Sequence, residues 1–208
     1  MIAHRHSMVA LEGWPYLIFA FVATLLTWRY QGALAAAPFA ILGIGLYFLF
    51  RDPLRQVPPE PLGALAPIDG RVTAVGLVRG ETLPGDWQRV EIAASHLGAY
   101  TVRAPIEGSI CSIAERAGDS AAAVSAQRGM WLRSEEDHDV VLVFPGGLRA
   151  LGPKAFVRYG ERIGQGQRFA YLRLAPRAVV YLPPSSALQV AVGDWMSAGE
   201  TILADLPE

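Results

Sequence analysis

The 208-residue sequence has little cysteine and no excess of positive charge. Its single cysteine, Cys111, excludes an internal disulfide and agrees with a reducing compartment. Between Ile110 and Ser112, Cys111 is predicted to be a small strand hydrophobe rather than a reactive thiol. The net charge is −1, so a nucleic-acid partner is not predicted, because such proteins carry a basic footprint. Histidine and cysteine form no cluster with metal-ligand spacing, so no metal site is predicted.

Charge is absent from two apolar runs near the N-terminus, residues 14–28 and 32–50. The second run spans about 28 Å as a helix, close to the hydrocarbon thickness of a bilayer, about 30 Å. Trp14 and Trp28 bound the first run, as aromatic rings do at a lipid–water interface. Residues 1–50 are therefore predicted to form a membrane-associated helical hairpin with a short polar turn at 29–32.

The alternative for these runs is a secretory signal peptide with a small-residue cleavage site at 33–35, which explains the second run poorly. Arginines 5, 51 and 55 flank the two ends of the hairpin, whereas only Arg29 lies in its turn. The positive-inside rule then places both ends in the cytoplasm. The sequence predicts an inner-membrane protein whose C-terminal domain faces the cytoplasm.

Composition changes sharply after residue 50. Prolines at 53, 58, 59, 61 and 67 predict an extended linker over 51–67 rather than a helix. Residues 68–208 contain short runs rich in Val, Ile, Leu and Tyr, separated by Gly, Pro or Asp, and predict a mostly β domain. The predicted strands are 71–78, 89–94, 99–106, 109–114, 139–144, 168–174, 178–184 and 188–193.

Two stretches, 102–110 and 190–205, resemble the halves of a barrel-sandwich hybrid, as in lipoyl and biotinyl carrier domains. The second has the turn chemistry of that fold at Gly193-Asp194 and at Gly199. A carrier domain needs a lysine at a hairpin tip, and the only lysine in the chain, Lys154, is not in such a hairpin. A carrier function is therefore not predicted.

Four segments occur in the order and spacing found in one enzyme family. They are residues 50–55 (FRDPLR), 67–72 (PIDGRV), 95–108 (SHLGAYTVRAPIEG) and 166–183 (GQRFAYLRLAPRAVVYLP). Together with the apolar hairpin, they resemble the short, membrane-anchored phosphatidylserine decarboxylases over nearly the whole chain.

The resemblance implies a specific chemistry. Members of this family cleave themselves between Gly and Ser, and the serine becomes a pyruvoyl group that forms a Schiff base with phosphatidylserine and accepts the electrons released with CO₂. Here Ala175 and Pro176 stand at the Gly-Ser position, and proline has no hydroxyl. The family's pyruvoyl cofactor is therefore not expected to form. Tyr100 stands where the family has its histidine base, and only the aspartate, Asp69, is retained.

No other residue is predicted to restore the site. Ser185-Ser186 lies downstream, where cleavage would leave a misplaced carbonyl. His96 lies on a loop or strand four residues before Tyr100, and His138 lies in an acidic turn. His4 and His6 flank the membrane segment. Asp69, Tyr100, Ala175 and Pro176 are accordingly interpreted as a vestigial site, with Asp69 equally interpretable as a turn residue before Gly70.

The sequence thus predicts a catalytically degenerate family member with a lipid-related or regulatory role. Arg103, Arg173 and Arg177 lie near the vestigial site and are candidates for binding lipid phosphate as planar forks; the alternative is charged positions on polar strand faces. The expected partners are membrane phospholipid and a second copy or a catalytic relative. An active decarboxylase with unrecognised chemistry and a structural, membrane-anchored interaction module remain the alternatives.

Overall fold

A computed structural model describes residues 9–10, 13–79, 85–95, 98–114, 129–145, 154–172 and 175–207. The chain divides into two compact units, residues 1–54 and 55–208. The first contains helices and the second contains strands, and each is described by itself.

The first unit is a helical hairpin of α1 (Trp14–Gln31) and α2 (Ala33–Phe50). Gly32 joins the helices with a φ of 91°, a value that favours glycine, and its N–H donates to the Trp28 carbonyl at 3.2 Å. Among the described residues, α2 is the one helix long and apolar enough to cross a membrane. The predicted hairpin is confirmed, and α2 is compatible with membrane anchoring.

Large apolar side chains of both helices are exposed within this unit. Examples are Phe19, Phe21, Leu34, Ile41 and Ile44. Exposed apolar surface of this extent is unfavourable in water, whereas lipid covers it at no such cost. Ala20 is buried against the small residue Gly43, so the helices approach closely on one side only.

The second unit is a β structure, and the predicted mostly β class is confirmed. Its strands are β1 (Gly63–Leu65), β2 (Gly70–Arg79), β3 (Asp86–Ala94), β4 (Thr101–Arg103), β5 (Gly108–Ala114), β6 (Gly129–Arg133), β7 (Asp139–Val143), β8 (Lys154–Ala155), β9 (Arg162–Ile163), β10 (Arg168–Tyr171), β11 (Arg177–Leu182), β12 (Ala187–Leu188), β13 (Trp195–Met196) and β14 (Ile202–Asp205).

Two predicted strands are largely wrong: of 99–106 only β4 is a strand, and of 188–193 only the first residue is. β12 ends at Leu188, and the chain then turns through Gly193, whose φ is 100°. The Asp194 carboxylate accepts a hydrogen bond from the Ala191 N–H at 2.8 Å and closes this turn. Turn chemistry at Gly193 and Asp194 therefore outweighs the β propensity of the valines beside them.

An eight-stranded antiparallel sheet forms most of the second unit, in the order β13-β2-β3-β11-β7-β6-β5-β9. Two three-stranded sheets, β1-β14-β12 and β4-β10-β8, complete it. Alternate residues of β7 serve two clusters: Val140 and Leu142 belong to the main core, whereas Val141 and Val143 pack on the opposite face with Val179.

The strand order has an internal two-fold pseudosymmetry: read from either edge, the sheet presents equivalent strands. The reason is that the unit contains a repeated motif. Residues 66–70 read APIDG and residues 104–108 read APIEG. The two copies exchange reciprocal hydrogen bonds, from the Leu65 N–H to the Pro105 carbonyl at 2.8 Å and from the Arg103 N–H to the Pro67 carbonyl at 2.9 Å. The β2–β3 hairpin of one half thus corresponds to the β5–β6 hairpin of the other.

The repeat includes a second pair of segments, YGERIGQGQRF at 159–169 and VGDWMSAGETI at 192–202. β13 and β14 pair with β2 and β1, and β9 and β10 pair with β5 and β4 in the same arrangement. The stretches 102–110 and 190–205 therefore come from different halves. The stretch 102–110 pairs with β9 and β10, and the stretch 190–205 pairs with β1 and β2. Composition alone does not identify these partners.

Candidate functional site

The end of β3 brings two of the predicted site residues together. The Ser95 N–H donates to the Asp69 carbonyl at 3.0 Å, and the Ala94 N–H donates to the Pro176 carbonyl at 2.9 Å. Ala93 is in register with Arg71 on one side and with Arg177 on the other. Asp69 and Pro176 therefore flank the same strand end, although they are distant in sequence.

The other two predicted residues lie on the adjoining backbone. The Leu172 N–H donates to the Tyr100 carbonyl at 2.7 Å, and the Ala175 N–H donates to the Leu172 carbonyl at 3.3 Å. Ala175 is buried, and the half-buried Tyr100 packs against the main core. The structure therefore gathers Asp69, Tyr100, Ala175 and Pro176 into one region.

The Asp69 carboxylate is the most connected polar group of this region. It is only 5% exposed, and each of its oxygens accepts two hydrogen bonds. Oδ1 accepts from the Ala198 N–H at 2.8 Å and Oδ2 from the Ala99 N–H at 2.9 Å. Arg55 Nη2 lies 2.9 Å from Oδ1 and 2.7 Å from Oδ2. Asp69 thereby joins three separate segments, whereas its repeat counterpart, Glu107, is exposed.

Arg55 links this carboxylate to a second acid. Its Nη1 donates to Glu200 Oε2 at 3.0 Å, and Glu200 Oε1 accepts from the Gln56 N–H at 3.1 Å. The side chain of Arg55 is largely buried. Arg55 and Gln56, near the start of the proline-rich segment, are consequently held to the rest of the β unit by a charged hydrogen-bond network.

Gly98 permits the close approach on which this network depends. A Cβ atom at position 98 would lie 2.6 Å from the Asp69 Cβ, closer than real Cβ atoms approach. Arg55, Gly98 and Ala198 are thus site residues that the sequence patterns do not single out. Arg55 lies in the FRDPLR segment, so this motif could have identified it as a site residue. Ala198 contributes only a backbone N–H, which no sequence pattern reveals.

The three candidate lipid-binding arginines have different surroundings. Arg103 is 7% exposed, and its Nη1 donates to the Gly166 carbonyl at 3.1 Å. Arg177 is exposed, and its Nη1 donates to Glu91 Oε1 at 2.7 Å. Glu91 is itself buried and also bonded to Arg89. Arg173 lies outside the described residues.

The remaining candidates do not join this region through any described contact. Ser186 is buried in the turn after β11, where its N–H donates to the Pro183 carbonyl at 3.0 Å. His138 lies in a turn organised by Ser134, whose Oγ accepts from the His138 N–H at 3.2 Å. His4, His6 and His96 lie outside the described residues. Across the described ranges, no group of His, Cys, Asp or Glu side chains is arranged to hold a metal ion.

The residues at the strand end do not fit the formation of a pyruvoyl group there. Pro176 supplies no side-chain oxygen that could attack the Ala175 carbonyl. The Asp69 carboxylate accepts hydrogen bonds from backbone N–H groups and a guanidinium. The arrangement is that of a structural hydrogen-bond centre.

Comparison with known proteins agrees with the order of the sequence motifs. The profile of the phosphatidylserine decarboxylase family matches residues 45–204. The chain is 33% identical to a phosphatidylserine decarboxylase proenzyme of Aromatoleum aromaticum over 211 residues, covering 98% of both proteins. It is also 33% identical to that of Nitrosomonas europaea, over 97% of both.

A solved structure of glucose permease IIA from Mycoplasma capricolum is similar at a TM-score of 0.47 and 13% identity. The similarity covers 69% of this chain and 94% of that one. With a family profile spanning most of the sequence and relatives matched from end to end, the chain belongs to the phosphatidylserine decarboxylase family.

Proposed function

We propose that this chain is a membrane-anchored, catalytically degenerate member of its family, with a lipid-related or regulatory role and no pyruvoyl group. The observation that carries the proposal is Pro176 at the position of the cofactor-forming serine. Conversion to a pyruvoyl group requires a hydroxyl that attacks the preceding carbonyl, and proline has none.

The surroundings of Pro176 support the same proposal. Tyr100 in place of the histidine base is a poor proton acceptor, because a neutral phenol oxygen is a far weaker base than an imidazole nitrogen. Ala175 in place of glycine narrows the backbone conformations open to a cleavage turn. The Asp69 carboxylate is bonded to Arg55, Ala99 and Ala198, so its present contacts account for it without a catalytic role.

Intact mass of the purified full chain tests the proposal. We expect one unmodified species near 22.4 kDa. Two fragments whose masses add up to the chain plus one water and minus one ammonia, with a carbonyl-bearing N-terminus on the smaller one, would refute it. The relative from Aromatoleum aromaticum, prepared in parallel, serves as the comparison for self-cleavage.

A second measurement distinguishes a degenerate family member from an active decarboxylase that uses different chemistry. The purified chain is incubated with carboxyl-labelled phosphatidylserine in detergent micelles, and released CO₂ is counted. We expect no release above the background of heat-treated protein. Release from an uncleaved chain would favour the active alternative over degeneracy.

The location of the protein is part of the same proposal. The arginines flanking the hairpin favour insertion with both ends in the cytoplasm, so the β unit would face the cytoplasmic side of the inner membrane. Protease added to intact spheroplasts should then leave the β unit uncut. Digestion of the β unit would show that it lies on the opposite side of the membrane. The proposed partners are membrane phospholipid, with Arg173 and Arg177 as candidate phosphate-binding residues, and a second copy or a catalytic relative. Arg103, also a candidate from the sequence, is 7% exposed and donates to the Gly166 carbonyl, so it does not support this role.

A further inference from the structure

Two equivalent turns of the repeated motif have different surfaces. Tyr159, which is 79% exposed, lies at the tip of the turn Arg158–Glu161, and Val192, which is 61% exposed, lies at the tip of Ala191–Asp194. Each turn is closed by its acid, because Glu161 accepts from the Arg158 N–H at 2.9 Å as Asp194 does from the Ala191 N–H. The backbones match, so the two tips differ in their side chains.

The tip that carries Tyr159 is bound to β5 by two backbone hydrogen bonds. The Gly160 N–H donates to the Ile110 carbonyl at 2.9 Å, and the Ile110 N–H donates to the Glu161 carbonyl at 3.0 Å. The tyrosine ring is therefore presented to solvent by an ordered turn. An exposed ring on a rigid support loses little conformational entropy when it binds a surface.

Exposed basic and aromatic side chains precede this tip in the chain at 154, 156 and 158, and Arg168 lies against Phe156. The Tyr159 surface comprises Lys154, Phe156, Arg158, Tyr159 and Arg168. Lys154 and Arg158 are exposed, and the Arg168 guanidinium lies 4.8 Å from the centre of the Phe156 ring. Two acids lie nearby: Glu161 closes the turn, and Glu135 pairs with Arg162. Against Glu161 stand the three basic residues of the Tyr159 surface, so the charge of this surface is positive on balance.

We propose that the Tyr159 surface docks on an anionic phospholipid bilayer. Basic side chains near an anionic leaflet gain electrostatic energy, and tyrosine and phenylalanine rings partition into the interface. The inference rests on the membrane anchoring in the proposed function, since a hairpin in the bilayer raises the concentration of lipid around the β unit. It does not depend on the loss of catalysis. The anionic cytoplasmic leaflet has the complementary charge.

The Val192 tip provides a matched control within the same molecule. It has the same turn geometry, but Asp194 is its charged residue and no basic residue lies in its turn. Docking driven by charge and aromatic rings should therefore involve the tip at 159 and leave the tip at 192 in solvent.

The experiment uses the full chain in lipid nanodiscs, with Cys111→Ser as background. An environment-sensitive NBD label is attached to one of two variants, Tyr159→Cys or Val192→Cys. At position 159 the ring of the label replaces the tyrosine ring. Discs contain phosphatidylcholine alone or with phosphatidylglycerol, and doxyl-labelled lipid reports contact by quenching. Elution of the chain with the discs reports anchoring separately.

We expect a blue-shifted, quenched label at position 159 in anionic discs, and solvent-like emission there in phosphatidylcholine discs and at position 192 in both. Lys154→Gln with Arg158→Gln should lower the ratio of docked to undocked protein on the order of 30-fold, at about fivefold for each basic residue. Arg71→Gln with Arg79→Gln makes the same charge change elsewhere on the exposed surface of β2 and should leave the ratio unchanged.

The proposal is overturned if position 159 stays unquenched in anionic discs, as it would if the surface binds an acidic protein instead. Equal quenching in both lipids, equal quenching at 192, or no effect of the Lys154 and Arg158 substitutions would overturn it too. A chain that does not elute with the discs would count against both anchoring and docking. Cleavage into two fragments would refute degeneracy alone.

Discussion

Removal of the Asp69 carboxylate should destabilise the β unit strongly. In Asp69→Ala, the buried N–H groups of Ala99 and Ala198 lose the acceptors they now have at 2.9 and 2.8 Å. Each buried donor left without a partner costs about 1–3 kcal/mol. Arg55 keeps Glu200 as a partner, so its share of the loss is small. The expected decrease in the free energy of unfolding is about 3–5 kcal/mol, a large part of a typical domain's stability of about 5–15 kcal/mol.

The assay is urea unfolding of the full chain in detergent micelles, followed by near-ultraviolet circular dichroism. Trp87 and Trp131 of the β unit meet edge to face at 6.2 Å and provide a tertiary signal. Asp69→Asn should lose about 2–3 kcal/mol, because its amide retains one acceptor and turns a donor towards an N–H group. Glu107→Ala, at the exposed repeat counterpart, is the matched control and should change stability by less than about 0.5 kcal/mol. Equal effects of Asp69→Ala and Glu107→Ala would refute the assignment of Asp69 as the structural centre.

Three further outcomes follow from individual contacts. Gly98→Ala should lower the free energy of unfolding by about 1–3 kcal/mol, because the added methyl would meet the Asp69 Cβ at 2.6 Å. Gly76→Ala is the control, since its methyl meets nothing within 4 Å. Similar unfolding midpoints for the two variants would contradict this. Glu91→Ala removes the buried acceptor shared by Arg89 and Arg177 and should lower the free energy of unfolding in urea by about 1–2 kcal/mol. The loss should be smaller than that of Asp69→Ala because Arg177 is solvent-exposed. An equally large loss would show that this reasoning is wrong. Pro176→Ser alone should remain one chain by intact mass, because no histidine is supplied with the hydroxyl, while self-cleavage of that single variant would show that Tyr100 does not prevent the reaction.

Local sequence was sufficient for the elements whose signals are short-range. The two uncharged runs predict the hairpin because helix length and apolarity are properties of consecutive residues, and α1 and α2 begin and end near the predicted boundaries. Most longer strands, such as β2, β3, β5 and β11, follow from runs of β-branched residues. β12 and β13 did not follow in this way, because Gly193 and Asp194 form a turn that interrupts the apolar pattern.

The repeat was visible in the sequence but is easily missed. APIDG and APIEG are five residues each, and their chemistry diverges at the one position that matters, where Asp69 is buried and Glu107 is exposed. Burial is a property of the packed unit, so two motifs that differ only in the length of their acidic side chain do not reveal which acid is enclosed. The same applies to the equivalent tips at Tyr159 and Val192, whose backbones match while their neighbours differ.

The sequence by itself determined the family, the helical hairpin and the mostly β class, because each is read from residue identity and order. The assignment of Pro176 to the position of the cofactor-forming serine stays a prediction from the same order. Tertiary structure alone decided that Arg55, Ala99 and Ala198 converge on Asp69, since backbone N–H groups have no signature in a sequence. It also decided that Arg103 is buried whereas Arg177 is exposed beside Glu91. Contacts between residues far apart in the chain depend on strand order and register, which only the folded unit defines.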